Sequence, residues 1–135
     1  MILDLGCGEG SHLQNVIDDS NVSGMIGVGV DISKEGIAMA AKTYDTAAWF
    51  VSDLADLPFV PQSFQVCLNI LSPINYQECK KVLTEDGIVI KVVPGPDYLK
   101  ELREVLYANQ EKMDAFLDPG IREVTIDLLI LVGRK

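Results

Sequence analysis

The stretch LDLGCGEG, residues 3 to 10, constrains this chain more than any other. An apolar run, ILDL at 2–5, breaks at once into glycines on alternate positions, Gly6, Gly8 and Gly10. A residue without Cβ can take positive φ and let a ligand rest against the main chain. The pattern therefore reads as a buried strand that ends in a tight turn and hands over to a helix.

The rest of the chain alternates in the same way. SHLQNVIDD at 11–19 places Leu13, Val16 and Ile17 at helical spacing, with Ser11 near a plausible cap. MIGVGVDI is a buried-strand run that ends in Asp31, and Ser33 then reads as the N-cap of KEGIAMAAKTY. AAWFVSD at 47–53 is a third strand closed by an acid, with Trp49 and Phe50 read as core. A loop carrying Leu57-Pro58-Phe59 leads to a fourth strand, FQVCLNIL, and 75–83 fits a short helix. Asp86-Gly87 reads as a turn into IVIKVVP, a fifth strand stopped by Pro94-Gly95-Pro96. Asp97 is placed to cap a helix running to about Met113, with Leu99, Leu102, Val105 and Leu106 as its buried stripe. The tail REVTIDLLILVGRK reads as two strands or one long one. Strands alternating with helices imply a doubly wound α/β sheet with right-handed crossovers and helices on both faces.

In such sheets ligands bind at the carboxyl ends of the strands. The dinucleotide fingerprint is GxGxxG, whereas here the order is GxGxG, with Ser11 where a third glycine would fall. Asp31 ends the second strand about 20 residues on, the position of an acid that takes both ribose hydroxyls. Asp53 ends the third strand, placed to meet an exocyclic amine of a purine. A nicotinamide-dependent oxidoreductase would share Asp31 but leaves Asp53 without a role.

Charge and cysteine content narrow the partners. With 20 acids against 11 bases the net charge is −9, which suits a cationic ligand and opposes tight binding of a polyanion by this segment alone. Cys7, Cys67 and Cys79 form no CxxC pair, and the single His12 has no second ligand nearby. No metal is expected, and the cysteines read as buried free thiols. No apolar run reaches the roughly 18 residues of a membrane span, so the chain reads as soluble and cytoplasmic, with no membrane partner. Lys80, Lys81, Lys91, Lys100 and Arg103 are scattered and read as solvated faces.

Together LDLGCGEG, GVDIS and VSDLADLPF resemble the first three motifs of class I S-adenosylmethionine-dependent methyltransferases. The resemblance implies a Rossmann-like, mostly parallel seven-stranded sheet whose last strand is antiparallel, and S-adenosyl-L-methionine as cofactor with S-adenosyl-L-homocysteine as product. It implies that Asp4 and the loop of Gly6, Cys7, Gly8 and Gly10 bind the methionine portion. Asp31 would hold the ribose, with Ile32 against the adenine. Asp53 would accept from the adenine amino group and the Leu54 backbone would touch the ring. Ser52 and Asn69 complete the cofactor-binding set. In NILSPI, residues 69–74, Asn69 or Ser72 stands where related nitrogen methyltransferases place acceptor-facing groups.

GCGEG, DISKEGIAMAAKTY, LPF, the Ser-Pro after the fourth strand and PGPDYLKELREVLY further resemble the large-subunit ribosomal RNA (guanine ring N-1) methyltransferases. That resemblance implies ribosomal RNA as partner. The family's N-terminal four-cysteine zinc module is missing from this sequence, and its substrate-covering segment is shortened near 113–124. The expectation is thus one S-adenosylmethionine-binding domain over 1–135, truncated at its N-terminus. Two alternatives stand beside it: a methyltransferase core with lost or partner-dependent activity, and a small-molecule methyltransferase. A shortened cover could also leave apolar surface that favours a homodimer.

Overall fold

Four residues, three of them apolar and the fourth Asp4, set the centre of the sheet. In the computed structural model, which describes residues 1–108 and 125–135, β1 (Ile2–Leu5) is buried along its whole length. This is what a parallel strand covered on both faces requires. It is followed by α1 (Ser11–Asp19), β2 (Gly27–Asp31), α2 (Lys34–Thr43), β3 (Ala47–Val51), β4 (Phe64–Ile70), α3 (Tyr76–Val82), β5 (Leu83–Pro94), α4 (Lys100–Ala108) and β6 (Leu128–Arg134).

The strand order is β3-β2-β1-β4-β5-β6, so the chain reverses direction across the sheet between β1 and β4. The β1/β2, β1/β4, β2/β3 and β4/β5 pairs are all parallel. Beside β5, β6 runs antiparallel: Lys135 N–H donates to the Gly87 carbonyl at one end, and Gly95 N–H to the Asp127 carbonyl at the other. The described residues fall into two compact units, 1–92 with 130–135, and 93–129.

Side-chain alternation along the strands splits the core of the first unit in two. Leu3, Leu5, Val28, Val30, Phe64 and Cys67 pack on one face with Cys79, Val82 and Leu83 of the α3 region. Ile2 and Leu68 pack on the other with Leu13 of α1. Trp49 lies over this second cluster, its indole N–H donating to the Tyr44 carbonyl at 3.1 Å. Phe50 is 43 % exposed and meets Phe59 edge-on, so only the first of these two aromatics is core.

Several boundaries differ from the sequence expectation. Six strands lie among the described residues, and the described part of the tail, 125–135, holds one of them, β6. Ser11 is not a cap: Gly10, at φ +85°, precedes α1 and supplies no side chain, while Ser11 Oγ donates to Glu9. Ser33 does cap α2, accepting from Gly36 N–H at 3.0 Å. Asp86-Gly87 does not start β5 but lies inside it, at a register irregularity between the Phe64/Leu83 and Val66/Ile88 pairs. Asp97 does not precede α4 directly. Residues 96–99 form a turn, and its carboxylate pairs with Lys100 Nζ at 3.6 Å. The helical stretch beyond 108 and the 113–124 segment lie outside the described residues, as do the side chains of Val105 and Leu106.

Candidate functional site

A cleft of about 250 Å³ opens at the carboxyl ends of the parallel strands, lined by Gly6, Asp31, Ile32, Asp53, Leu54, Ser72 and Pro73. It lies where the strand order reverses, the place at which open α/β sheets bind ligands. Its floor is the glycine turn. Gly6 N–H donates to the Val30 carbonyl at 2.8 Å, which carries the chain straight from β1 onto the end of β2. Gly6 has φ +80°, and a Cβ there would collide with the Ser72 side chain, its Cβ lying only 2.6 Å away. Gly8 has φ +55° and open space where a side chain would go, while Gly10 is held against the Trp49 ring.

Asp31 organises this turn. One carboxylate oxygen accepts from Gly8 N–H at 2.9 Å and the other from Ser33 N–H at 2.8 Å. A carboxylate offers about four acceptor sites, so two remain for a ligand in the cleft. Asp53 is exposed and spends one oxygen on Ala55 N–H at 2.9 Å. Ile32 is 71 % exposed, a large apolar side chain kept in solvent at the cleft edge. Leu54, also in the lining, is half-buried against the core.

Asp4 is 1 % exposed, and its Oδ1 has no hydrogen-bond partner among the described residues. Burial, and then the charge of Asp31, push its carboxyl up to about 7. Because the native state holds this proton more tightly than the unfolded chain, Asp4 stabilises the fold at low pH. That contribution is lost as pH rises from about 4 toward 7. Three pH units correspond to ~4 kcal/mol. Asp4→Asn should therefore gain stability over wild type by about that amount on going from pH 4 to pH 8. Urea unfolding of both proteins across this range checks it, and parallel stability curves would refute it.

Six residues of the expected set lie outside the cleft lining: Asp4, Gly8 and Gly10, described above, and Cys7, Ser52 and Asn69. The Cys7 thiol is buried against Gly29, where a Cβ would come within 2.9 Å of its sulfur, and burial followed by Asp4 and Asp31 pushes it up to about 12. It is a neutral packing group. Ser52 faces away, its Oγ donating to the Asp53 and Asp56 carbonyls at 3.3 Å, while its N–H ties β3 to the Asp31 carbonyl at 3.0 Å. Asn69 is fully buried. Its amide donates to the Leu5 carbonyl, Ser72 Oγ and the Pro73 carbonyl, and its Oδ1 accepts from Lys91 Nζ. Asn69 thus braces the cleft wall instead of facing an acceptor. Ser72 does reach the cleft. Among the described residues no cluster of His, Cys, Asp and Glu could hold a metal ion.

The sequence reading missed Lys91, which is half-buried rather than solvated. A lone cation inside the apolar run IVIKVVP was the available signal, since a buried ammonium needs partners. Pro73, the residue after Ser72 in NILSPI, also forms cleft wall.

A family model described as "Methyltransferase domain" matches residues 2–91. The Bacillus subtilis protein YxjB, whose assigned activity of 23S rRNA (guanine-N(1)-)-methyltransferase is provisional, is 48 % identical over 113 residues, 82 % of this chain and 40 % of that protein. The 23S rRNA (guanine(748)-N(1))-methyltransferase of Streptomyces fradiae is 31 % identical over 107 residues, 78 % of this chain and 37 % of its own length. The chain thus spans about two fifths of these relatives. Among solved structures, an S-adenosylmethionine-dependent methyltransferase from Mesorhizobium loti superposes with a TM-score of 0.60 at 22 % identity, over 73 % of this chain and 48 % of that one.

Proposed function

The chain belongs to the methyltransferase-domain family, and from that premise we propose that its cleft binds S-adenosylmethionine for methyl transfer to a guanine ring nitrogen of ribosomal RNA. The observation that carries the cofactor half is the pair of acids at the glycine turn. Asp31 keeps free acceptor sites at the cleft wall, and Asp4 is buried with an unpartnered oxygen beside that charge. Two mutually repelling acids favour a ligand that brings hydroxyl donors and a positive charge, and an adenosine carrying a sulfonium and an ammonium brings both. Ile32 and Leu54 offer apolar walls for a flat purine, and Asp53 has one oxygen left for its amino group.

Bound there, the cofactor would supply an electrophilic methyl group: its sulfur–methyl bond would break as the acceptor nitrogen bonds the methyl carbon, S-adenosylhomocysteine would leave with the electron pair on sulfur, and the nitrogen's proton would pass to solvent or a base. What the protein does is align the two and exclude water. The RNA half rests on the names of the two relatives, because an acidic chain offers few phosphate contacts. Two measurements test the reading. Calorimetry with S-adenosylhomocysteine should give one site of micromolar strength, and no heat at millimolar ligand would refute it. Labelled methyl transfer from S-adenosylmethionine should reach total RNA, weakly for this chain alone. Label in protein or small molecules, with RNA unlabelled, would overturn the choice of acceptor.

A further inference from the structure

We propose that Lys91 is a positioning residue that orders the far wall of the cleft and leaves Ser72 as a hydrogen-bond acceptor for the ammonium of the bound nucleoside; this rests on the cofactor reading above. Lys91 stands on β5 opposite Asn69 of β4. Its Nζ donates to Asn69 Oδ1 at 2.5 Å and to the Ser72 carbonyl at 3.0 Å. A lysine ammonium is donor-only, so the Asn69 amide has one permitted orientation, oxygen toward Lys91 and nitrogen toward the loop. That nitrogen donates its two hydrogens to Ser72 Oγ at 2.6 Å and to the Leu5 carbonyl at 2.8 Å, with the Pro73 carbonyl a longer third partner at 3.1 Å that shares them.

With one lone pair taken by Asn69, the Ser72 hydroxyl commits its own hydrogen to the Leu5 carbonyl at 2.7 Å. One lone pair is left, on a side chain that lines the cleft directly against Gly6. A wall with this proton order can receive a donor and cannot supply one. The loop it holds needs holding: Leu71 has φ +52°, a left-handed conformation that a leucine rarely adopts, and its N–H is pinned to the Val92 carbonyl at 3.0 Å.

The test is a double-mutant cycle read with two ligands. Lys91→Met and Ser72→Ala should each weaken S-adenosylhomocysteine about tenfold, the worth of one charge-assisted hydrogen bond. The double variant should be no weaker than Ser72→Ala alone. Methylthioadenosine, which lacks the amino acid, should bind all four proteins within about twofold, an outcome that general loosening of the wall would not give. Lys91→Arg should restore most of the affinity. Multiplying single effects, or equal losses for both ligands, would overturn the proposal. If Lys91→Met does not fold, Lys91→Gln takes its place. If wild type binds neither ligand, the cofactor reading fails by itself. Asn69 side-chain amide exchange by NMR then decides the role of Lys91: at least tenfold faster exchange in Lys91→Met supports it, and unchanged exchange overturns it.

Discussion

Asp31→Ala should weaken S-adenosylhomocysteine binding roughly 100-fold, the largest loss expected of any side-chain truncation in the cleft. Two charge-assisted hydrogen bonds to ribose hydroxyls together give on the order of 3 kcal/mol of net affinity, which converts to that factor. The truncation acts twice. It removes the ribose acceptor, and it also releases Gly8 N–H and Ser33 N–H, so the glycine turn loses the carboxylate that ties it to the start of α2. Asp31→Asn separates the two effects, because the amide oxygen can keep one of these anchors while the charge is gone. Its affinity should fall between wild type and alanine. Calorimetry on the three proteins gives the answer, and equal affinities would remove Asp31 from the site.

The second large effect is on folding. Gly10 has φ +85°, and a Cβ there would press on the Trp49 ring, with one ring carbon at 2.7 Å, and on Ala40 at 3.1 Å. Backbone strain of ~1–2 kcal/mol adds to overpacking of ~1–3 kcal/mol. Gly10→Ala should lower the melting temperature by on the order of 10 °C. Gly8→Ala is the control. Gly8 also has positive φ, yet nothing stands within 4 Å of where its Cβ would be, so only the strain applies. Thermal unfolding should rank wild type above Gly8→Ala, and Gly8→Ala well above Gly10→Ala. The reverse order of the two variants would mean that Trp49 does not fill the space over Gly10.

Much of this arrangement is legible in the amino-acid sequence. The alternation of ILDL, GVGVD and FQVCLNI with helical spacings requires a parallel sheet, and acids at strand ends point to a cleft near their tips. Local patterns carry that kind of information well, because burial and periodicity are properties of neighbours in the chain. The hydrogen-bond assignments are not legible, because they depend on pairs far apart in sequence. Asn69 looks acceptor-facing from its place before Ser-Pro, but whether its side chain faces the cleft or the sheet depends on Leu5 and Lys91, 64 and 22 residues away. Cys7 lies within the glycine loop, and only the neighbouring Gly29, which leaves room for a sulfur, shows that it packs inward. The pairing of the tail is of the same kind: whether one apolar run pairs as one strand or two depends on its neighbour β5, and its described part forms one strand, β6.

A crystal structure of the chain soaked or grown with S-adenosylhomocysteine tests the central claim most directly. Both ribose hydroxyls should lie within hydrogen-bond distance of the Asp31 carboxylate, with the adenine between Ile32 and Leu54 and its amino group toward Asp53. A nucleoside bound anywhere else, or a ribose turned away from Asp31, would contradict it.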